Sequence, residues 1–148
     1  MVLSSEELRT LQLGPVWVLS ALAGSYSRFD PEELAAFWDT VVAVTLQTPT
    51  PARDLLMSTS TDRTGLLLAF ELDDRPVVSG LSQVVQVLDR VGPPTGPDFR
   101  MALVRIALGL GRIRGPYGRR PTPQDEQMIL LIAALLDVES VPGLAALV

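Results

Sequence analysis

The sequence contains no cysteine, no histidine and no lysine, so that all 12 of its basic residues are arginine. The lack of cysteine excludes disulfides, thiolate nucleophiles and cysteine-ligated zinc or iron–sulfur clusters. The lack of histidine excludes Ser-His-Asp and Cys-His catalysis and histidine-ligated zinc. Without lysine, neither a Schiff base nor the lysine-bearing phosphate loop can form. Carboxylates, hydroxyls and arginine remain as the groups available for chemistry.

Long apolar runs and strand patterns are also missing. The longest apolar run, MILLIAALL at residues 128–136, is far shorter than the roughly 20 residues that a membrane-spanning helix needs. The first residues, MVLSSEELRT, carry acids where a secretory signal carries basic residues. A net charge of -5 favours solubility and argues against nucleic acid as a general partner. We therefore expect a cytoplasmic protein without a membrane span.

What is present is a helical pattern along most of the chain. With 148 residues, 47% of them hydrophobic, the chain is long and apolar enough for one buried core. Useful period-2 alternation is absent, and the valine-rich residues 77–91 have helical spacing of their apolar positions. The sequence predicts an all-α, single-domain bundle of about seven helices spanning residues 1–148. Helix-start signals stand at Ser4 or Ser5, Asp30, Thr61 or Asp62, Asp98 and Thr122.

Two segments share the same order of features. ALAGSYSRFDPEELAAFW and ALGLGRIRGPYGRRPTPQDEQMIL each run from an apolar helix through a glycine-containing polar turn to a proline-marked start and a second apolar helix. This order predicts two pseudo-repeated helical hairpins, at residues 11–48 and 99–137. A bundle of the two hairpins, with the central helices between them, would bury the apolar stripes of both.

The acidic turns admit two interpretations. Asp30 and Glu33 have the spacing of a capping box, in which each side chain satisfies an orphan backbone amide at a helix start. Carboxylates are also the ligands that a hard divalent cation such as calcium prefers. Asp125 and Glu126, after the second turn, raise the same choice. The cap is the commoner use of this pattern, and a divalent cation is the one cofactor that these residues suggest.

An arginine-rich segment, GRIRGPYGRR at residues 111–120, is the second candidate site. Guanidinium groups and an aromatic face bind phosphate, an acidic partner or single-stranded nucleic acid. The alternative is that the arginines complement a helix C-terminus, solvate a loop or pair with nearby acids. The candidate anion-binding residues are Arg112, Arg114, Arg119 and Arg120.

The order of elements in residues 11–137 resembles the TerB-like family, small helical domains named after tellurite resistance. The matching segments are GPVWVLSALAG and SYSRFDPEELAAFW, followed later by RIALGLG and GPYGRRPTPQDEQMILLIAALL. The turns of the family usually carry Asp-Gly ahead of further acids, which are proposed ligands of a divalent ion. In this chain Ser25-Tyr26 stand in the place of Asp-Gly, while Asp30 and Glu33 match the later acids.

The second turn departs from the family pattern in the same way. Its Asp-Gly is missing, Thr122 stands opposite Asp30, and Asp125 stands opposite Glu33. The resemblance implies a bacterial, non-enzymatic scaffold or sensor domain in a stress response. A protein partner or self-association is expected as well, because a small chain with 47% hydrophobic residues can leave an apolar patch at one helix face. Because each turn keeps so few carboxylates, divalent-cation binding is expected to be weak or lost.

An enzyme is the third hypothesis. It would use the carboxylates of Asp30 and Glu33, but no nucleophile in the sequence has an evident base beside it. We therefore expect no enzymatic activity. The alternative to the scaffold role is an anion-binding or nucleic-acid-binding module that uses the segment from Arg112 to Arg120.

Overall fold

The computed structural model describes residues 2–23, 29–114, 122–139, 141 and 143–144. Within those residues the chain forms helices and no strands, as the sequence predicts. The all-α bundle of about seven helices is therefore confirmed. The helices are α1 (Ser5–Ala23), α2 (Pro31–Gln47), α3 (Ala52–Thr59), α4 (Arg63–Leu72), α5 (Val77–Val91), α6 (Thr95–Arg114) and α7 (Pro123–Leu135).

The helix starts follow local capping chemistry. Ser4 and Glu7 exchange side-chain and backbone hydrogen bonds ahead of α1, which satisfies orphan amides of the first turn. Asp62 caps α4 by accepting from the Gly65 amide at 3.0 Å. The valine-rich stretch is helix α5, as its spacing predicts. Capping residues therefore mark the beginnings of α1 and α4 through local contacts, whereas α5 begins after Pro76 without a side-chain cap.

Two predicted boundaries were wrong. Asp98 was expected to begin α6, but the helix begins at Thr95. Pro97 is compatible with that earlier start because the amides of a first helical turn have no intrahelical acceptor. The polar residues 58–64 were expected to form a linker, yet α3 continues through Thr59 and α4 begins at Arg63.

Two helices, α1 and α6, form the centre of the bundle. Helix α1 packs against α3, α4, α5, α6 and α7, while α6 packs against α1, α2, α3, α5 and α7. Every residue from 13 to 20 is buried, so the middle of α1 is enclosed on all sides. Helices α6 and α7 pack as a hairpin, whereas α2 packs chiefly on α6 and α3. The pseudo-repeat of residues 11–48 and 99–137 stays a prediction.

Among the described residues, no helix combines the length and the apolar character that crossing a bilayer requires.

The tightest packing in the core joins α1 to α5. The Trp17 side chain has no solvent exposure, and its ring lies against the backbone of Gly80. A Cβ atom at position 80 would stand 2.4 Å from Cε2 of that ring. Arg75 covers the indole from another side, with its guanidinium carbon 4.9 Å from the ring centroid. Glycine is therefore the residue that fits at this crossing.

We predict that Gly80→Ala destabilises the protein. Alanine gains up to about 1 kcal/mol of helix propensity, but overpacking a filled core costs about 1–3 kcal/mol or more. Because a contact near 2.4 Å requires displacement of a rigid indole, we expect a net loss of roughly 2 kcal/mol in urea unfolding.

Ser79→Ala is the matched control, since Ser79 is the exposed neighbour on the same helix. It should leave the free energy of unfolding unchanged or slightly raised. Equal stability of the two variants would contradict the packing account of Trp17.

Candidate functional site

A groove with a volume of about 610 Å³ lies between α2 and α6. Its volume is in the range of small-molecule sites. Helix α2 contributes one face with the spacing i, i+3, i+4, i+7, which places an apolar pair between two polar ends. These residues are Thr40, Ala43, Val44 and Gln47, and Asp39 adds a carboxylate beside them.

Helix α6 contributes a face with the same spacing. Arg105 and Arg112 stand two turns apart, which separates their Cα atoms by about 10.5 Å along the axis. Leu108 and Gly109 lie between the two arginines on that face. The groove therefore has an apolar middle and guanidinium groups toward both ends of its α6 side.

The groove exists because α2 and α6 approach closely at one point. A Cβ atom at Gly109 would lie 2.8 Å from Cγ2 of Thr40, so that a larger residue would push the helices apart. The Thr40 hydroxyl donates to the Ala36 carbonyl at 2.8 Å. Since that donor is already used within α2, Thr40 acts in the groove chiefly through its methyl group.

The two arginines of the groove, like the exposed Arg9, differ from most of the other described arginines in having no ion-pair, hydrogen-bond or aromatic partner. Elsewhere, Arg75, Arg90 and Arg100 each pair with a carboxylate, at Asp73, Glu7 and Asp89 respectively. Arg53 donates to carbonyl oxygens, and Arg63 lies over Trp38. In the part of the chain that the structure describes, Arg105 and Arg112 have no such partner, and neither lies within 4.0 Å of the Asp39 carboxylate.

The C-terminal segment borders the groove at Gly143. This glycine has a φ of 94°, a region that side chains disfavour. A Cβ atom at Gly143 would lie 2.8 Å from Nη2 of Arg112. The guanidinium of Arg112 therefore lies close to the backbone of Gly143, and both residues line the groove.

The first acidic turn forms a complete capping box. Oδ1 of Asp30 accepts from the Glu33 amide at 2.8 Å, and Oε1 of Glu33 accepts from the Asp30 amide at 3.2 Å. Pro31 occupies the first turn of the same helix. The capping interpretation is therefore confirmed for both residues, because both carboxylates serve backbone amides.

The second turn also caps a helix. Thr122 accepts from the Asp125 amide at 3.1 Å, so the predicted start of α7 is confirmed. Asp125 is 6% exposed, whereas Glu126 is half-buried. Over the described ranges, no three acidic side chains come together in a way that could hold a metal ion. The cation site at Asp30, Glu33, Asp125 and Glu126 stays a prediction.

The arginine segment is only partly described. Arg112 lies on α6 and lines the groove. Arg114 ends α6, whereas Arg119 and Arg120 lie outside the described residues. The structure thus joins Arg112 to Arg105 rather than testing the predicted set.

Sequence reasoning missed Arg105, Asp39 and Gln47. A signal for Arg105 was available, because it is a lone charge within the apolar stretch MALVRIALGLG and stands seven residues before Arg112. Asp39 had no comparable signal, since acids on the exposed side of a helix are common. Only the packing of α2 on α6 brings it to the groove.

A second concavity of the same volume, about 610 Å³, lies near the start of α1 and carries an excess of acids. Its centre is Arg75, which binds Asp73 at 2.7 Å and also donates to Thr10 and Gln83. The Arg75 hydrogen bonds lower the pKa of Asp73, although burial opposes the shift. The same Asp73 bond raises the pKa of Arg75. This network is internally satisfied and supports the covering of Trp17.

The chain matches no protein-family model, no curated protein and no solved structure. The TerB-like resemblance therefore gains no support from these comparisons and stays a prediction.

We predict that Asp30 acts as a helix cap rather than as a cation ligand. Asp30→Ala should lower the free energy of unfolding by about 1 kcal/mol, whereas Asp30→Asn should change it little because asparagine caps equally well. The melting temperature of each protein should be the same in calcium as in EDTA. Glu32→Gln, an exposed acid of the same turn, controls for the charge change. A calcium-dependent rise in melting temperature that Asp30→Asn abolishes would instead support a cation site.

We predict a pH-dependent contribution from Asp73. Its lowered pKa means that the ionised form is favoured in the folded state. The stabilisation is thus complete above the ordinary carboxyl pKa of about 3.9 and is lost as pH falls through the lower, folded-state value. Asp73→Asn should lower the free energy of unfolding by about 1.5–3 kcal/mol at neutral pH.

The difference between wild type and Asp73→Asn should shrink as the pH of the urea titrations falls below about 4. Asp74→Asn is the control, because this neighbour is exposed and should show a smaller effect at neutral pH. A difference that persists unchanged at low pH would contradict the role of the Asp73 charge.

Proposed function

We propose that the protein is a non-enzymatic binding module that takes a small organic anion in the groove between α2 and α6. The observation that carries the proposal is the pair of groove arginines, Arg105 and Arg112, which have no carboxylate partner within the described residues. A carboxylate or phosphate group is the ligand that a guanidinium fork fits best. The proposed anion-binding site is thus the groove rather than the arginine-rich segment at residues 111–120.

The sign of the local charge supports an anion. Among the lining residues that the structure describes, Arg105 and Arg112 stand with one carboxylate, Asp39, which gives this set one net positive charge. The protein as a whole has a net charge of -5. Because the second concavity carries an acid excess, the groove is the favourable one of these two places for a negative group.

The lining of the groove favours a small molecule over a nucleic acid. Its middle is apolar, at Ala43, Val44 and Leu108, which suits a short carbon skeleton. Within the described part of the chain, no aromatic side chain on which a base could stack lines the groove.

A scaffold or sensor role is the second candidate, with the TerB-like and stress-response hypotheses as its basis. Val42 is 42% exposed and Leu46 is 69% exposed, one turn apart on α2. Exposed apolar pairs of this kind occur at protein interfaces. A partner protein or a second copy of the chain would cover them, in a protein whose cytoplasmic location and bacterial origin remain expectations.

We predict that glutarate binds the groove and that Arg105→Gln and Arg112→Gln each weaken the binding. A charge-assisted hydrogen bond contributes about 1.5–3 kcal/mol, so we expect a loss of roughly tenfold or more in affinity for Arg105→Gln. The loss for Arg112→Gln should be smaller, because Arg112 is exposed and water screens its charge. Amide chemical shifts in NMR titrations measure the affinity and locate the site. Binding should weaken as salt is added, because the pairs are partly exposed.

Arg9→Gln is the matched control, since Arg9 is an exposed arginine outside this groove. It should bind glutarate as wild type does, and all three variants should keep the wild-type circular dichroism. Equal affinity in every variant, or shifts confined to residues away from α2 and α6, would overturn the proposal.

A further inference from the structure

The groove contains charges of both signs that do not pair with each other. Asp39 is exposed on α2, and Arg105 and Arg112 lie on the α6 side. No nitrogen of either arginine is within 4.0 Å of the Asp39 carboxylate, given the ion pairs among the described residues. Glu7 and Arg90, which lie on different helices, do form an ion pair. In the groove, by contrast, the described charges of opposite sign stay apart.

A simple anion would satisfy only part of this lining. Its negative groups would bind the arginines, but they would also lie in the same groove as the Asp39 carboxylate, where like charges repel. A ligand that carries a cationic group beside its anionic groups would complement both the arginines and the Asp39 carboxylate. Asp39 would then contribute binding energy instead of opposing it.

The charges of the described lining residues indicate which charged groups the ligand carries. Two guanidinium groups complement two carboxylates, and one carboxylate complements one ammonium group. The apolar middle at Ala43, Val44 and Leu108 leaves room for a short methylene chain between those charges. The amide of Gln47 adds a donor and an acceptor at the edge of the groove.

Resting on the proposed anion-binding function, we infer that the groove selects a zwitterion, an acidic amino acid or a compound with the same charge pattern. Asp39 is the specificity-determining residue, because it binds the ammonium group and repels anions that lack one. The arginines hold the two carboxylates. Selectivity of this kind comes from a repulsive element as much as from an attractive one.

Glutamate and glutarate form a matched pair of probes, since they share a dicarboxylate skeleton and differ by the ammonium group. We expect wild type to bind glutamate more tightly than glutarate by roughly fivefold to tenfold, measured by NMR titration at low salt. Asp39→Asn removes the charge with little change in shape. In this variant the preference should reverse, because glutamate loses its partner and glutarate loses a repulsion.

Asp54→Asn, an exposed acid on α3 outside the groove, should keep the wild-type preference for glutamate. The inference would be overturned if glutarate binding depends on Arg105 but wild type does not prefer glutamate. It would also be overturned if Asp39→Asn leaves the preference for glutamate unchanged. Either result would leave the anion-binding function standing. Failure of both probes to bind would overturn the two together. A reversal of preference in Asp39→Asn alone would support the inference.

Discussion

The contact of the Trp17 indole with the backbone at Gly80 sets the spacing between α1 and α5, and the rest of the bundle is arranged around it. Because a Cβ atom there would fall 2.4 Å from the ring, the two helices cannot approach further, and no side chain can intervene. The Nε1 atom of Trp17 is buried without a hydrogen-bond partner in the described structure. The core therefore accepts an unsatisfied donor to keep a large apolar surface at its centre. Arg75, held by Asp73, completes the enclosure by covering the face of the indole.

Helix α6 packs against both the enclosed helix α1 and helix α2. One part of α6 reaches α1, where a Cβ at Gly14 would sit 3.4 Å from Leu103, while another meets α2 at Gly109. Since Gly109 permits close approach, the longer residues a turn to either side of it cannot lie between the helices. Arg105 and Arg112 occupy those flanking positions and extend alongside α2. The close helix crossing and the positive lining of the groove thus arise from one pattern of a small residue between two long ones.

The features that the sequence predicts correctly are local ones, which depend on residues within about four positions of each other. The caps at Asp30 and Thr122 and the helical state of the valine-rich α5 follow from local spacing. The start of α6 lies earlier than the sequence predicts, because prolines usually mark a break but are tolerated in the first turn of a helix. The groove escaped prediction because Asp39 and Arg105 are distant in the sequence and meet only through the packing of α2 on α6.

The charged residues of the groove contribute differently to affinity and to ligand selectivity, because they differ in solvent exposure. Arg105 is half-buried, whereas Asp39 and Arg112 are exposed. A partly desolvated guanidinium without a counter-charge gains more from a ligand than an exposed one, because water screens the latter. Beyond about 10 Å the net charge of the protein is screened at ordinary salt, so the chain's overall charge of -5 does not prevent a small anion from reaching the groove. Arg105 is therefore the residue on which affinity should chiefly depend, while the exposed Asp39, acting at contact distance, has its effect on which ligand is accepted.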